Sequence, residues 1–162
     1  MLDSIQQLLV AQMPRALKQL AKLTPSAVQL KVLNLAFNQA FKEELAEGDF
    51  DFLDQRRVKL EISDLDVAWD LTLSGEQLCV SACQPDFDLR FAGEWNQFVL
   101  LAGRKVDPDT LFFQRRLSIE GDTELGLEIK NLLDNLELER LPGLLRQGLD
   151  HSASLIEQYQ TS

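Results

Sequence analysis

DPDTLFFQRRLSIEGDTELGLEIKNLLD, residues 107–134, is the stretch on which the reading of the fold turns. It opens as a polar loop. From Arg115 to Glu120 the side chains alternate, with Leu117 and Ile119 opposite Arg116, Ser118 and Glu120, which predicts a half-buried strand. Gly121 permits a sharp turn. Asp122 is placed to cap a helix starting at Thr123, because a short carboxylate there accepts the unpaired N–H groups of the first turn. Along that helix Leu125, Ile129, Leu132, Leu133 and Leu136 follow the 3.6-residue period. The expected product is an apolar helix laid across a sheet, which suits binding better than chemistry.

Upstream of this block the period is two. Val58, Leu60 and Ile62 alternate with polar neighbours, as do Val67, Trp69, Leu71 and Leu73. Ser74-Gly75-Glu76 supplies a hairpin turn into Leu78, Val80 and Ala82. Pro85 interrupts before a fourth strand carrying Phe87, Leu89 and Phe91. Residues 93–105 read as a helix with a broad apolar surface from Trp95, Phe98, Val99 and Leu101. A last helix is expected over roughly 144–158.

The N-terminal part is helical in pattern. Residues 4–23 place Ile5, Leu8, Leu9, Met13, Ala16, Leu17 and Leu20 on one face, and Pro14 is expected to kink or divide the helix. Thr24-Pro25 reads as a cap followed by a first-turn proline. A second helix should then run to Glu47, burying Val28, Val32, Leu35, Ala36 and Leu45, and end at Gly48. The fold class is therefore α+β: a five-stranded, mainly antiparallel sheet covered on one face by helices. A helical arm (1–47) precedes the sheet-bearing domain (48–162).

Composition narrows the function. Thirty-two of the 162 residues are Leu, against nine Phe and one Tyr. That aliphatic content fills a core, and it would equally line a cavity for an apolar ligand. The net charge of −10 is uneven. Residues 4–42 carry five bases (Arg15, Lys18, Lys22, Lys31, Lys42) and no acid. From Glu43 onward there are 25 acids and 11 bases. Such an acidic body argues against nucleic acid, whose phosphates require a basic footprint. The basic start suits an anionic membrane or an acidic protein surface, while the apolar face of the arm could be buried by a membrane or by a second copy, and the sequence leaves these open. Residues 1–10 lack a basic leader pattern, and no apolar run is long enough to span a bilayer, so a cytoplasmic protein is expected, either free or peripheral to the inner membrane.

Catalytic constellations are hard to assemble. Cys79 and Cys83 sit roughly 13 Å apart if both lie in one strand, beyond disulfide reach, and are expected as reduced thiols. The acid pairs Asp49/Asp51, Asp64/Asp66, Asp86/Asp88 and Asp107/Asp109 fall at loop or strand boundaries, where aspartate favours turns. None has a nearby His or Cys to complete a hydrolytic set, and His151 reads as a surface residue. No metal or cofactor is implied. Arg115 shares strand parity with Phe113, Leu117 and Ile119, so it either snorkels outward or pairs with Asp107 or Asp109, or it anchors a carboxylate, phosphate or phenolic headgroup at a cavity mouth. Phe112-Phe113 reads as core packing or as the rim of an apolar tunnel. Gly126 and the off-face Leu127 widen the apolar arc of their helix.

LFFQRRLSIEGDTELGLEIKNLLD, with its I-E-G-D corner, resembles the signature of the sterol-carrier-protein-two lipid-binding family. Within it the likeness is to bacterial accessory factors of ubiquinone synthesis, which also share a helical arm with a K-L-T-P step, here Lys22 to Pro25. The resemblance implies an apolar tunnel between sheet and helices. It also implies a non-catalytic role in oxygen-independent ubiquinone synthesis, holding or presenting polyprenylated intermediates to partner hydroxylases. Phe91, Trp95, Phe98, Phe112, Phe113, Arg115, Leu125, Ile129, Leu132, Leu133 and Leu136 are the expected lipid-binding residues. Two other functions stay in view: a ligand-free scaffold for biosynthetic proteins, and a phospholipid-binding membrane adaptor.

Overall fold

A computed structural model describes residues 2–103, 105–134 and 143–160. Leu136 therefore lies outside the described residues. Five strands form one mixed sheet: β1 (Val58–Ile62), β2 (Val67–Ser74), β3 (Gln77–Ala82), β4 (Leu89–Gly93) and β5 (Leu117–Gly121). Their order is β3-β2-β1-β4-β5. Three pairings are antiparallel and one, β1 with β4, is parallel. The parallel pair arises because the chain leaves β3 at one edge and crosses over to enter beside β1. On that crossing the Gln84 N–H donates to Asp70 Oδ2 at 2.8 Å, and Lys59 Nζ donates to the Gln84 carbonyl at 2.8 Å. Asp70 is fully buried, and the Arg57 guanidinium lies 3.5 Å from its carboxylate.

The pairing register separates the two faces cleanly. Val58 faces Leu71 and Leu89, Leu60 faces Trp69 and Phe91, and Phe91 faces Ile119. All of these project to one side and join the main core. Lys59, Glu61, Arg90 and Glu120 project to the other. There Arg90 bonds Glu61 at 2.8 Å, and this hydrogen bond lowers the Glu61 pKa and raises that of Arg90. A period of two thus yields one apolar and one charged face, as the alternation predicts.

Helices surround the sheet: α1 (Leu2–Leu23), α2 (Ser26–Ala40), α3 (Lys42–Glu47), α4 (Trp95–Ala102), α5 (Pro108–Phe113), α6 (Thr123–Asp134) and α7 (Gly143–Gln160). Pro14 sits inside α1 without dividing it. Proline removes one donor from the helical ladder, and the helix runs on through the loss. Thr24 does not cap α2. Its hydroxyl donates back to the Leu20 carbonyl at 2.7 Å and closes α1 instead, leaving Pro25 at the cap position of α2. The second helix is also shorter than the pattern suggests, breaking at Phe41 into α2 and α3. Gly48 then ends α3 with φ 81°.

The face that α2 buries differs from expectation. Val28, Val32 and Leu35 are exposed, Leu35 at 66%. Leu30, Leu33 and Phe37 pack on the core instead. The reason is a pair of asparagines. Asn34 Nδ2 donates to the Val80 carbonyl at 3.1 Å, and its Oδ1 accepts from the Val80 N–H at 2.7 Å. Asn38 repeats this on Leu78, at 2.8 and 2.9 Å. Two amides spaced one helical turn apart thus act as a surrogate strand along the outer edge of β3. They satisfy backbone groups that a bare sheet edge would leave open to other chains. Asn38→Ala should leave both polar backbone groups of Leu78 without these partners and cost about 1–3 kcal/mol. Hydrogen exchange checks this: the Leu78 amide should lose protection before the amides of β1.

A smaller core lies beside the main one. Leu65, Trp95, Leu100 and Ile156 are buried together, with Met13, Leu17 and Val99 packed against them. This cluster joins α1, α4 and α7, and the Lys18–Asp66 ion pair at 2.5 Å reinforces the α1 side. So α1 rests on the body through one face.

Candidate functional site

The corner Gly121-Asp122 positions the apolar helix over the sheet. Gly121 has φ 119°, and a Cβ there would stand 2.3 Å from the Asp88 carbonyl oxygen. Only glycine lets β5 pass that close to the start of β4. One residue on, the Asp122 N–H donates to the same Asp88 oxygen at 3.0 Å. The Asp122 carboxylate accepts from the N–H groups of Glu124 and Leu125 at 3.0 and 3.1 Å, the expected cap of α6. Its other oxygen takes the Arg56 guanidinium at 2.7 Å.

Backbone donation from Leu125, with help from Arg56, holds the Asp122 carboxyl below the usual aspartate range. A lowered folded-state pKa means the stabilisation is present above the unfolded pKa, about 3.9, and is lost as pH falls through the folded value. Asp122→Asn keeps an amide oxygen for the cap but removes the charge. The variant's urea midpoint should therefore fall less steeply than that of the parent chain below about pH 4.

Above the sheet, α6 buries Leu125 and Ile129, with Leu132 and Leu133 half-buried at the margin. Gly126 is buried too, and a Cβ built on it would lie 3.4 Å from Ile119 Cγ2, so the helix backbone rides low on β5. Beneath, Phe91 is the centre of an aromatic trio. Its ring centroid lies 5.4 Å from that of Phe112, edge-on, and 5.7 Å from that of Phe98. The interface thus gathers Phe91, Phe98, Phe112, Leu125, Ile129, Leu132 and Leu133 into one apolar cluster.

Three expected residues lie elsewhere. Trp95 is buried, but in the smaller core. Phe113 is 91% exposed. The pair splits because residues 108–113 form helix α5 rather than the expected polar loop, and neighbours on a helix point about 100° apart. Asp107 caps α5, accepting from the Thr110 N–H at 2.8 Å and the Thr110 hydroxyl at 2.9 Å. Arg115 lies not in β5 but in the exposed turn before it, with φ 60°, so the parity argument does not apply. Asp109 pairs with Lys130 of α6.

An open groove of about 610 Å³ runs along α5, lined by Asp109, Thr110, Phe112, Phe113 and Gln114. Phe112 belongs to both places: it lines the groove and contacts Phe91 in the core. Leu89, expected as a strand residue but not as part of the site, and Leu111, not expected at all, are fully buried in the same cluster. The burial of Leu111 follows only from the helical course of α5, which a polar loop would not give it. The remaining polar candidates have structural work. Asp64 accepts from the Trp95 N–H at the start of α4, and Asp88 accepts from the Arg57 N–H. Cys79 and Cys83 are free thiols, and His151 is exposed. Among the described residues no group of three or more His, Cys, Asp or Glu is arranged to hold a metal. Among the described residues, too, no helix is long and apolar enough to cross a membrane.

Known proteins match this arrangement. Residues 33–134 match the SCP-2 sterol transfer family. The ubiquinone biosynthesis accessory factor UbiT of Escherichia coli K12 is 40% identical over 157 residues, 97% of this chain and 90% of that protein. UbiT of Escherichia coli O157:H7 matches to the same extent. Among solved structures, a protein described as "UbiJ-SCP2 Ubiquinone synthesis protein" superposes with a TM-score of 0.57 at 16% identity. That superposition covers 68% of this chain and 93% of the other, and it bears on the fold alone. The α+β architecture with a five-stranded mixed sheet and the long UbiT match agree: this chain belongs to the SCP-2 sterol transfer family, as a relative of the UbiT accessory factors.

Proposed function

We propose that this protein is a non-catalytic, lipid-binding accessory factor of ubiquinone biosynthesis. The observation that carries the reading is the match to UbiT along nearly the whole chain. The apolar cluster under α6 supplies the physical means. A polyprenyl tail entering between α6 and the sheet would replace water with Leu and Phe contacts, at about 0.8 kcal/mol per buried methylene before ordering costs.

In this reading the tunnel opens at the α5 groove, and Phe112 is its door. To admit a chain, the Phe112 ring leaves Phe91 and turns into the groove that it already lines. Phe113 offers an apolar rim, and Arg115, one residue beyond groove-lining Gln114, meets the polar ring or headgroup. Residues 48–162 act as the binding domain, with 1–47 as an arm. The intermediates are passed to hydroxylases of the oxygen-independent route, and the site of action is the cytoplasmic side of the inner membrane.

A second reading, the ligand-free scaffold, is favoured by one observation: the Phe98 and Phe112 rings each already contact the Phe91 ring. Native mass spectrometry of the purified protein, followed by solvent extraction, separates the two. The carrier reading expects a co-purifying or exchangeable isoprenoid. Persistent absence of any bound or loadable isoprenoid or phospholipid would leave the scaffold standing.

A further inference from the structure

The outer faces of α1 and α2 carry apolar side chains that the fold does not use. Leu9, Leu20 and Leu23 on α1, and Val28, Val32 and Leu35 on α2, are all at least about half exposed. These helices are not loose. Gln29 Nε2 donates to the Ala21 and Thr24 carbonyls and so ties the α1–α2 corner. Lys18 pins α1 to Asp66, and Asn34 and Asn38 pin α2 to β3. With their inner faces committed, the apolar outer faces are held outward by construction.

Charge says what covers them. Between Ser4 and Lys42 the chain has five bases and no acid, while the remainder from Glu43 is strongly acidic. Arg15, Lys22 and Lys31 are exposed on these same two helices. A second copy bound through a two-fold axis would set this face against itself, opposing basic helix to basic helix with no acid to compensate. An anionic bilayer offers the complementary charge and an apolar layer beneath it, and the acidic body is repelled from the same surface.

We infer that α1 and α2 form a membrane-docking surface that lies flat on anionic phospholipid and holds the acidic body away from the bilayer. Among the described residues no helix can cross a bilayer, so the contact is interfacial. The surface is separate from the apolar cluster under α6, and the inference stands whether or not a lipid occupies that cluster.

The test is co-sedimentation of the full chain with phosphatidylcholine vesicles, alone or with phosphatidylglycerol added. Partitioning should be at least about ten-fold stronger on the anionic vesicles and weaken with salt, since each base held at such a surface contributes roughly five-fold. Val32→Asp with Leu35→Asp should reduce it about ten-fold or more, as should Lys22→Glu with Lys31→Glu. All four side chains are exposed, so the urea midpoint should not move. Equal binding to neutral and anionic vesicles overturns the inference, and so does unchanged binding by both double variants. Sedimentation velocity adds a third overturning result: a dimer of the parent chain that Val32→Asp with Leu35→Asp dissolves would make a second copy the occupant.

Discussion

Gly121→Ala is expected to destabilise the fold by about 4 kcal/mol, at the upper end of single-residue effects. Two costs combine. The backbone sits at φ 119°, where an L-residue is strained by about 1–3 kcal/mol. The new methyl would also meet the Asp88 carbonyl oxygen at 2.3 Å and the Leu89 Cα at 3.1 Å. Both are backbone atoms of the strand entrance, so no side chain can rotate away. Relief requires β5 to move off β4, which would also disturb the Asp122 cap and the seat of α6. Gly75 is the control. It has φ 64° with nothing within 4 Å of a built Cβ, so Gly75→Ala should cost only the left-handed penalty of about 1–2 kcal/mol. Urea unfolding of both variants, with the slope unchanged, measures the difference. Equal shifts at the two sites would mean that the close approach to Asp88 contributes nothing.

This corner was legible from the sequence because its causes are local: a glycine, a capping carboxylate and a change of period within eight residues. The strand faces were legible for the same reason, since alternation needs no knowledge of partners. What the sequence hid depended on tertiary partners. Hydrophobicity alone selects Val28, Val32 and Leu35 as the buried face of α2. The fold instead turns Asn34 and Asn38 inward to bond a strand edge forty or more residues away. Two asparagines one turn apart on an otherwise apolar helix were the available signal. The parallel β1–β4 pair was hidden likewise, because Pro85 marks a break but not the crossing that follows.

The candidate site was legible unevenly. Leu125, Ile129, Leu132 and Leu133 follow from periodicity, and α6 packs them on the core. A loop reading of Phe112-Phe113 and a strand reading of Arg115 both fail, because the chain forms helix α5 and then a turn there. Asp107-Pro108 before Thr110 was the missed signal: a capping carboxylate followed by a first-turn proline starts a helix. Once α5 is in place, the aromatic pair divides its labour, one ring inward against Phe91 and one outward beside the groove.

Phe91→Ala is expected to cost about 3–5 kcal/mol in the absence of ligand. Phe91 is buried between Phe98 and Phe112, and its removal loses the ring's transfer free energy and leaves a void that the two remaining rings cannot fill without leaving their own contacts. The same variant discriminates the two functional readings when its urea midpoint is measured with and without a polyprenylated phenol. A ligand that binds only the folded chain stabilises it by about 2.7 kcal/mol when present at a hundred times its Kd. If the tail passes between α6 and the sheet, the space vacated by Phe91 lies on its path. The ligand should then raise the midpoint of the parent chain, and restore a larger share of the lost stability in Phe91→Ala. A scaffold whose interior is filled only by its own side chains predicts a different pattern: the parent chain does not respond, and the vacated space is too small and closed to take a prenyl tail. The deciding quantity is therefore not the size of the loss, which both readings share, but whether an isoprenoid reverses it.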